Sequence, residues 1–207
     1  MNNLARKALA AVFMLFIMSI IAWLFWKQEL QYTLPTPVPP NYKVVYVNES
    51  VPLDNAAIAP LQYPKFYHFF KPDCPCSRFN VKHFNYLQSQ FANDVDFVVV
   101  IPEGAEMSDA VDYFDGKIQV MEDVGDKLAN GFGVYSTPQA VIVNTDGKLY
   151  FRGNYNKARY CTDAMSNFAQ MALDSLMSNK PAPKFGPLAT VSYGCGLPKD
   201  DFNLLNF

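Results

Sequence analysis

The sequence predicts an α/β domain with a central sheet, placed behind a single apolar N-terminal helix. The run Ala8–Trp26 contains no charged residue. After residue 43, short apolar strands alternate with amphipathic helical stretches, which is the order of an α/β domain. The 207 residues are 50% hydrophobic, which excludes a chain that is disordered throughout. Since the net charge is only -2, the chain lacks the basic surface typical of nucleic-acid binding, and we exclude that class.

The apolar run is long enough to cross a membrane, because at 1.5 Å per residue it forms a helix of about 28 Å. Arg6 and Lys7 precede it, which predicts a cytoplasmic N-terminus and an exported domain. A cleaved signal peptide is the alternative, but the bulky residues of Trp23–Trp26 suit a membrane interface better than a cleavage site. Both interpretations export the domain, where cysteines are able to form disulfides.

The chain divides into four predicted segments. Residues 1–27 form the cytoplasmic N-terminus and the transmembrane anchor, and residues 28–42 form a proline-rich linker. Residues 43–180 form the folded domain, and residues 181–207 form a C-terminal tail that packs on the domain.

The folded part has a predicted order of strands and helices. Apolar runs predict strands, the last two joined as a hairpin, at Lys43–Val47, Lys65–Phe70, Asp96–Ile101, Gln139–Asn144 and Lys148–Arg152. Helical spacing of apolar residues predicts helices at Ser77–Phe91, Ser108–Phe114, Asp123–Asn130 and Thr162–Met177. Gly131 is the predicted C-cap of the third helix.

Two cysteines, Cys74 and Cys76, lie between the second predicted strand and the first helix. The N-terminus of a helix favours a thiolate over a thiol, and the thiolate is the nucleophile of disulfide exchange. Lys71 favours the thiolate further, whereas Asp73 opposes it, and these two residues are candidate modulators. We expect Cys74 to be accessible to solvent at the strand end, with a lowered pKa.

The segments FFKPDCPC (69–76), STPQA (136–140), GNY (153–155) with Cys161, and Gly194–Cys195 together resemble a thioredoxin-like family of membrane-anchored bacterial proteins of unknown function. The resemblance implies a thioredoxin-like fold, a central mixed sheet flanked by helices. It also implies a single-pass protein of the inner (cytoplasmic) membrane, with its soluble domain facing the periplasm or the cell exterior.

In thioredoxin-like proteins, the residue before a cis proline lies beside the reactive cysteine and pairs with the substrate strand. Thr137–Pro138 stands immediately before the hairpin strand, so the resemblance predicts a cis bond there, and X–Pro is the bond that tolerates the cis form. Thr137 and Pro138 are therefore the candidate substrate-binding residues. The chain departs from ordinary thioredoxins because Asp73 replaces the tryptophan before the first cysteine, and only one residue separates the pair.

The four cysteines allow three complete pairings. The favoured expectation is a catalytic Cys74–Cys76 pair and a structural Cys161–Cys195 disulfide. Loop entropy gives about 3.8 kcal/mol of stabilisation for the longer loop and about 1.6 kcal/mol for the shorter, so the shorter bridge is better suited to exchange than to stability. In the alternative pairing, Cys195 resolves Cys74 from the tail and Cys161 is left free; a metal-bound or fully reduced state is a third possibility.

The two histidines and the acidic cluster are interpreted as structural or solvent-exposed residues rather than as functional ones. His83 lies about 10 Å along the helix from Cys76, too far for direct proton transfer, and His68 is expected to be a satisfied core histidine. The acidic residues form no calcium-binding pattern and are interpreted as a solvated face: Glu103, Glu106, Asp109, Asp112 and Asp115. We expect no bound metal and no cofactor.

These residues predict a membrane-anchored, extracytoplasmic thiol–disulfide oxidoreductase that acts on protein thiols. Cys74 exchanges with the substrate, Cys76 resolves the mixed disulfide, and Thr137–Pro138 orients the substrate backbone. A copper chaperone is an alternative, disfavoured because no histidine follows His83. A thiol peroxidase is disfavoured by Lys71, which stands where those enzymes carry threonine, and a non-catalytic binding module is the remaining alternative.

Overall fold

A computed structural model describes residues 2–53, 60–114, 118–158 and 160–197. The chain divides after Leu34 into two compact units. The first unit contains helix α1 (Asn3–Gln28) and a 3-10 turn at Leu30–Thr33. Helix α1 is N-capped by the Asn2 side chain and has no buried residue. Among the described residues it is the one helix long and apolar enough to cross a membrane.

The second unit is built on a five-stranded mixed sheet. The strands of this sheet are β1 (Lys65–Phe69), β2 (Asp96–Pro102), β3 (Gln119–Asp123), β5 (Gln139–Val143) and β6 (Leu149–Gly153). Two short strands lie outside it, β4 (Ser136–Thr137) and β7 (Cys195–Gly196). The sheet order is β3-β2-β1-β5-β6. Strands β1, β2 and β3 are parallel, and β5 is antiparallel to both β1 and β6. Strands β4 and β7 pair antiparallel as a separate ribbon.

Helices flank the sheet, and the fold is thioredoxin-like, as predicted. The helices are α2 (Pro75–Phe91), α3 (Met107–Tyr113), α4 (Lys127–Phe132), α5 (Phe168–Met177) and α6 (Pro187–Thr190). Successive residues of a strand point to opposite faces of the sheet, and two cores follow from this alternation. Phe66 packs in the core that includes residues of α2 and α5, whereas Tyr67 packs in the core that includes residues of α4.

The predicted first strand, Lys43–Val47, is wrong, because this segment forms no strand in the described chain. Nearby, Ser50 forms an isolated bridge to Lys148. The side chains of Val44, Tyr46 and Val47 are exposed. Val45 is partly buried against the core that contains Tyr67, so the alternation places one side chain at the core without the strand pairing that was predicted.

The segment between β2 and β5 also differs from the prediction. Strand β3 was not predicted, and the helix predicted over Asp123–Asn130 begins at Lys127 instead. The carboxylate of Asp123 accepts hydrogen bonds from the backbone N–H groups of Leu128 and Ala129, both at 2.8 Å, which satisfies donors at the helix start. The helix is capped by Gly133, which has a φ of 68°, rather than by Gly131.

The closing helix is shorter than predicted. It begins at Phe168 rather than Thr162, after a 3-10 turn at Ala164–Ser166. The side chain of Asp163 accepts a hydrogen bond from the backbone N–H of Met165, and Asn167 has a ψ of 72° that is not helical. This local bonding competes with helix formation, as short polar side chains do near helix starts.

Candidate redox site

Cys74 occupies the junction between the buried strand β1 and helix α2. It is the N-cap residue of α2, with Pro75 at the first helical position, where proline fits because no intrahelical donor is lost. Its backbone N–H donates to the Lys71 carbonyl, and its own carbonyl accepts from the Arg78 N–H. The strand-to-helix geometry predicted for the cysteine motif is therefore present.

The Thr137–Pro138 peptide bond is cis, as predicted. It lies directly beside Cys74, because the Cys74 Sγ is 3.8 Å from the Thr137 carbonyl oxygen. Thr137 is fully buried. Cys74 and Thr137 are 63 positions apart in the sequence, and the fold places the sulfur atom of the first against the backbone carbonyl of the second.

Cys74 forms a disulfide with Cys195, with the two Cα atoms 6.1 Å apart. The favoured pairing of Cys74 with Cys76 and of Cys161 with Cys195 is therefore wrong, and the alternative with Cys195 on the tail is the one present. The reason is the ribbon formed by β4 and β7, in which Cys195 stands opposite Thr137. This pairing brings Cys195 to the Cys74 sulfur.

The exposure of Cys74 also differs from the expectation. Cys74 was expected to be accessible to solvent, but only 1% of it is exposed. Its covering includes the strand β7, which contributes the disulfide partner. The disulfide to Cys195 thus places a residue of the tail directly against the Cys74 sulfur.

The tail segment before Cys195 is held by polar side chains that the sequence analysis missed. The side-chain amide of Gln139 donates to the Ser192 hydroxyl at 2.7 Å, and the backbone N–H of Thr36 donates to the Ser192 carbonyl at 2.9 Å. The Thr36 and Ser136 hydroxyls share a buried hydrogen bond of 2.8 Å. No spacing signal connects these positions.

The Asn80 side chain forms hydrogen bonds to both remaining cysteines, Cys76 and Cys161. The Asn80 side chain donates to the Cys76 carbonyl at 3.0 Å and accepts from the Cys161 thiol at 2.9 Å. Cys76 is 4% exposed. Burial raises the pKa of the Cys161 thiol to about 12, so Cys161 is a thiol rather than a thiolate near neutral pH.

The two predicted modulators lie in the loop before Cys74. The Lys71 ammonium is 3.9 Å from the Asp73 carboxylate, and Asp73 is largely exposed. A pair at this distance with one exposed partner contributes little to stability. Beside it is a cavity of about 850 Å³ whose lining includes Lys71, Asp73 and Arg78. The lining also includes five acidic residues: Glu103, Glu106, Asp109, Asp112 and Asp126. Asp115, also predicted to be a solvated acid, lies outside the described residues.

His68 is a core histidine, as expected, although only one of its nitrogens has a hydrogen-bond partner among the described residues. Its Nδ1 lies 2.7 Å from the Tyr155 hydroxyl, whereas its Nε2 has none. The ring stacks on Phe84 with centroids 4.6 Å apart. Burial lowers the pKa of His68 to about 3 and also lowers the pKa of His83. Both rings are therefore neutral near pH 7.

A metal centre is not evident in the part of the chain that the structure describes, where no group of three or more His, Cys, Asp or Glu residues is arranged to hold an ion. The chemistry available at this site is that of sulfur. A disulfide opposite a backbone edge can be opened by an incoming thiolate and closed again by the released thiol.

Two solved structures share this fold at low sequence identity. An uncharacterized conserved protein from Geobacillus kaustophilus has a TM-score of 0.63 at 17% identity, covering 81% of this chain and 99% of its own. A hypothetical protein from Sinorhizobium meliloti has a TM-score of 0.62 at 13% identity, covering 77% of this chain and 98% of its own. The thioredoxin domain of a thiol-disulfide oxidoreductase from Bacteroides vulgatus has a TM-score of 0.46 at 13% identity, with coverages of 57% and 96%.

Comparison with curated proteins gives no match. A family model does match, over residues 45–196. The matched range includes the cysteine junction, the Thr137–Pro138 bond and the tail strand with Cys195. The chain therefore belongs to the family described as Domain of unknown function (DUF6436).

Proposed function

We propose that this protein is a membrane-anchored, extracytoplasmic thiol–disulfide oxidoreductase that acts on protein thiols. One observation carries the proposal. Cys74 lies at the start of a helix beside the Thr137 backbone and is joined to a cysteine whose strand pairs with Thr137. In this arrangement a peptide strand and a reactive sulfur are aligned for exchange.

The exchange needs only the cysteines and a substrate. In the reducing direction, the Cys74 thiolate attacks one sulfur of a substrate disulfide, and the other substrate sulfur leaves as a thiolate. The Cys195 thiolate then attacks Cys74, which releases the second substrate thiol and leaves the Cys74–Cys195 disulfide. One substrate disulfide is reduced to two thiols while one protein dithiol is oxidised, and the reverse sequence oxidises a substrate dithiol.

Cys195 thus takes the resolving role predicted for Cys76. Cys76 is proposed as a second exchange partner for Cys74, two residues further along the chain, once Cys195 has left. Thr137 and Pro138 are proposed to bind the backbone of the substrate strand, and Lys71 and Asp73 to tune the Cys74 thiolate through their opposite charges.

The location of the protein is also a proposal. Helix α1 supports an anchor in the inner membrane, and Arg6 and Lys7 before it support a cytoplasmic N-terminus. We assign residues 1–27 to the anchor region, 28–42 to the linker, 43–180 to the redox domain and 181–207 to the tail. A membrane-impermeant thiol reagent applied to intact cells tests the orientation. It should label the reduced Cys74 of a Cys195→Ser variant, and no labelling until the membrane is opened would place the domain in the cytoplasm.

A redox titration tests the function. The full-length protein in detergent is equilibrated with glutathione buffers, its thiols are alkylated, and the alkylated sites are located by mass spectrometry. We expect Cys74 and Cys195 to titrate together as a two-electron couple, while Cys161 stays a thiol throughout. Disulfide exchange with a model protein substrate should disappear in Cys74→Ser and persist in Cys161→Ser. A Cys74–Cys195 bridge that resists reduction across these buffers would identify a structural disulfide instead.

A further inference from the structure

Strand β7 occupies the position beside Cys74 and Thr137 that a substrate strand would take. Its sequence therefore indicates which residues that position accepts. Thr137 offers one backbone edge to the ribbon, and β7 occupies it with Cys195 in register. A substrate cysteine that bonds to Cys74 beside Thr137 needs that same place, so it must displace β7 and meet the same surroundings. This step rests on the proposed function.

The position before the cysteine has no room for a side chain. Gly194 has a φ of 141°, which side-chain-bearing residues rarely adopt. A Cβ atom built there would overlap the carbonyl oxygen of Thr137. That oxygen belongs to the backbone of β4, between its pairing with β7 and the start of β5, so it has little freedom to move aside.

The position two residues after the cysteine enters an apolar site. Leu197 is only 4% exposed and packs in the core that contains Phe132 and Val134 of the α4 side of the sheet. Its backbone N–H donates to the Tyr135 carbonyl at 2.9 Å. An apolar side chain at this position removes about 25 cal/mol of unfavourable hydration per Å² that it buries.

The position three residues before the cysteine meets a polar site. Ser192 is 2% exposed, and its hydroxyl accepts a hydrogen bond from the buried side chain of Gln139. Gln139 directly follows the Thr137–Pro138 bond. If the residue at this position has no hydroxyl, the Gln139 amide loses this hydrogen bond. It then keeps only the longer hydrogen bond to the Asn154 side-chain oxygen, at 3.4 Å.

We propose that the substrates of this site are extended protein segments in which glycine precedes the reactive cysteine and an apolar residue follows two positions later. A hydroxyl three positions before the cysteine adds to recognition. The tail sequence Ser192–Leu197 is the internal copy of this motif. Glycine is the most selective element, because its requirement arises from an overlap with backbone rather than from a lost contact.

An equilibrium exchange tests the proposal. Full-length Cys76→Ser/Cys195→Ser protein in detergent, with Cys74 as a glutathione mixed disulfide, is incubated with the peptide Ser-Tyr-Gly-Cys-Gly-Leu. The peptide thiolate attacks the mixed disulfide at Cys74 and glutathione leaves as a thiol, so the oxidation level is conserved. Mass spectrometry measures the ratio of the two mixed disulfides. The tail of the variant competes equally with every peptide, so ratios between peptides report recognition alone.

We expect the peptide with alanine at the position of Gly194 to form the mixed disulfide at least about tenfold less favourably, as a strained backbone position implies. A peptide with alanine at the position of Leu197 should also be weaker, by about tenfold. A peptide with phenylalanine in place of Tyr193 is the matched control and should equal the parent. Equal constants for the glycine and alanine peptides would overturn the specificity while leaving the redox function intact. A Cys74 mixed disulfide that exchanges with neither peptides nor free glutathione would overturn both.

Discussion

Two cysteines of this protein, the buried Cys74 and the partly buried Cys161, have surroundings that predict opposite chemistry. Cys74 is covered partly by β7, a two-residue strand near the described end of the chain, and it lies at a helix start. Cys161 packs against the central core, bonds to Asn80, and has a pKa raised by burial to about 12. The comparison shows that a thiol joined to a short tail strand and a thiol packed against the core differ in their surroundings, and the proposed function requires that only the tail strand leaves.

The largest expected effect separates the two cysteines directly. Cys74→Ser should reduce disulfide exchange to the uncatalysed rate, because the nucleophile is gone. Cys161→Ser should retain the exchange and cost about 1 kcal/mol of stability through a changed buried hydrogen bond. Exchange rates with a model disulfide and denaturant unfolding measure the two quantities. Cys195→Ser is the control, since it also removes the disulfide but keeps the nucleophile; loss of exchange in Cys161→Ser would reverse the assignment.

The buried polar cluster next to Cys161 should control stability against pH. Tyr155 lies beside Cys161 and shares a hydrogen bond with His68. Burial lowers the pKa of His68 from 6.5 to about 3, so below pH 6.5 the unfolded chain binds more protons than the folded one. The free energy of unfolding should therefore fall as the pH decreases from about 6.5 to about 3, by up to about 1.4 kcal/mol per pH unit.

Denaturant unfolding of the detergent-solubilised protein at several pH values measures this slope. His68→Phe should flatten it, because the group that takes up the proton is removed. His83→Phe is the matched control, since His83 is the other histidine of the chain and is less buried, and it should leave most of the slope. An unchanged slope in His68→Phe would show that other groups cause the acid sensitivity.

Adding one methyl group at Gly194 should weaken the docking of β7 beside Cys74. Gly194→Ala introduces a Cβ against the Thr137 carbonyl, so β7 should dock less well and the Cys74–Cys195 disulfide should be easier to reduce by about tenfold or more. A tenfold change corresponds to about 30 mV for a two-electron couple. Glutathione titration with thiol mapping measures the potential.

Gly186→Ala is the control for this variant, because a Cβ at Gly186 would meet open space and its φ is -79°. It should leave the potential unchanged. If Gly194→Ala also left the potential unchanged, the tail would not be the removable element that the comparison requires.

The smallest expected effect concerns charge beside Cys74. Asp73→Asn removes the carboxylate that opposes the thiolate, so exchange at Cys74 should become about twofold to threefold faster, and Lys71→Gln should slow it by a similar factor. Stopped-flow exchange at low and high salt measures both variants. The differences should shrink at high salt, because exposed charges are screened; a salt-independent effect would point to a packing change instead.

Much of this molecule could be predicted from local sequence. The apolar run at the N-terminus, the buried strands β1, β2 and β5, and the cysteine motif before α2 all have patterns readable within a few residues. The cis bond at Thr137–Pro138 was predicted as well, through the resemblance of its motif. Strand β3 was missed because it is a partly buried edge strand that is defined by its pairing with β2. The start of α5 was missed because short polar side chains there form local hydrogen bonds.

The sequence by itself determined which cysteine stands at a strand-to-helix junction, the position we propose as reactive because the adjacent helix start favours a thiolate there. It did not determine the partner of Cys74. The sequence analysis favoured Cys76 as the partner, whereas the tertiary structure selects Cys195, 121 residues away. The physical reason is that a disulfide requires two sulfur atoms to meet, and the pairing of β7 with β4, supported by the bonds of Ser192, brings this pair together.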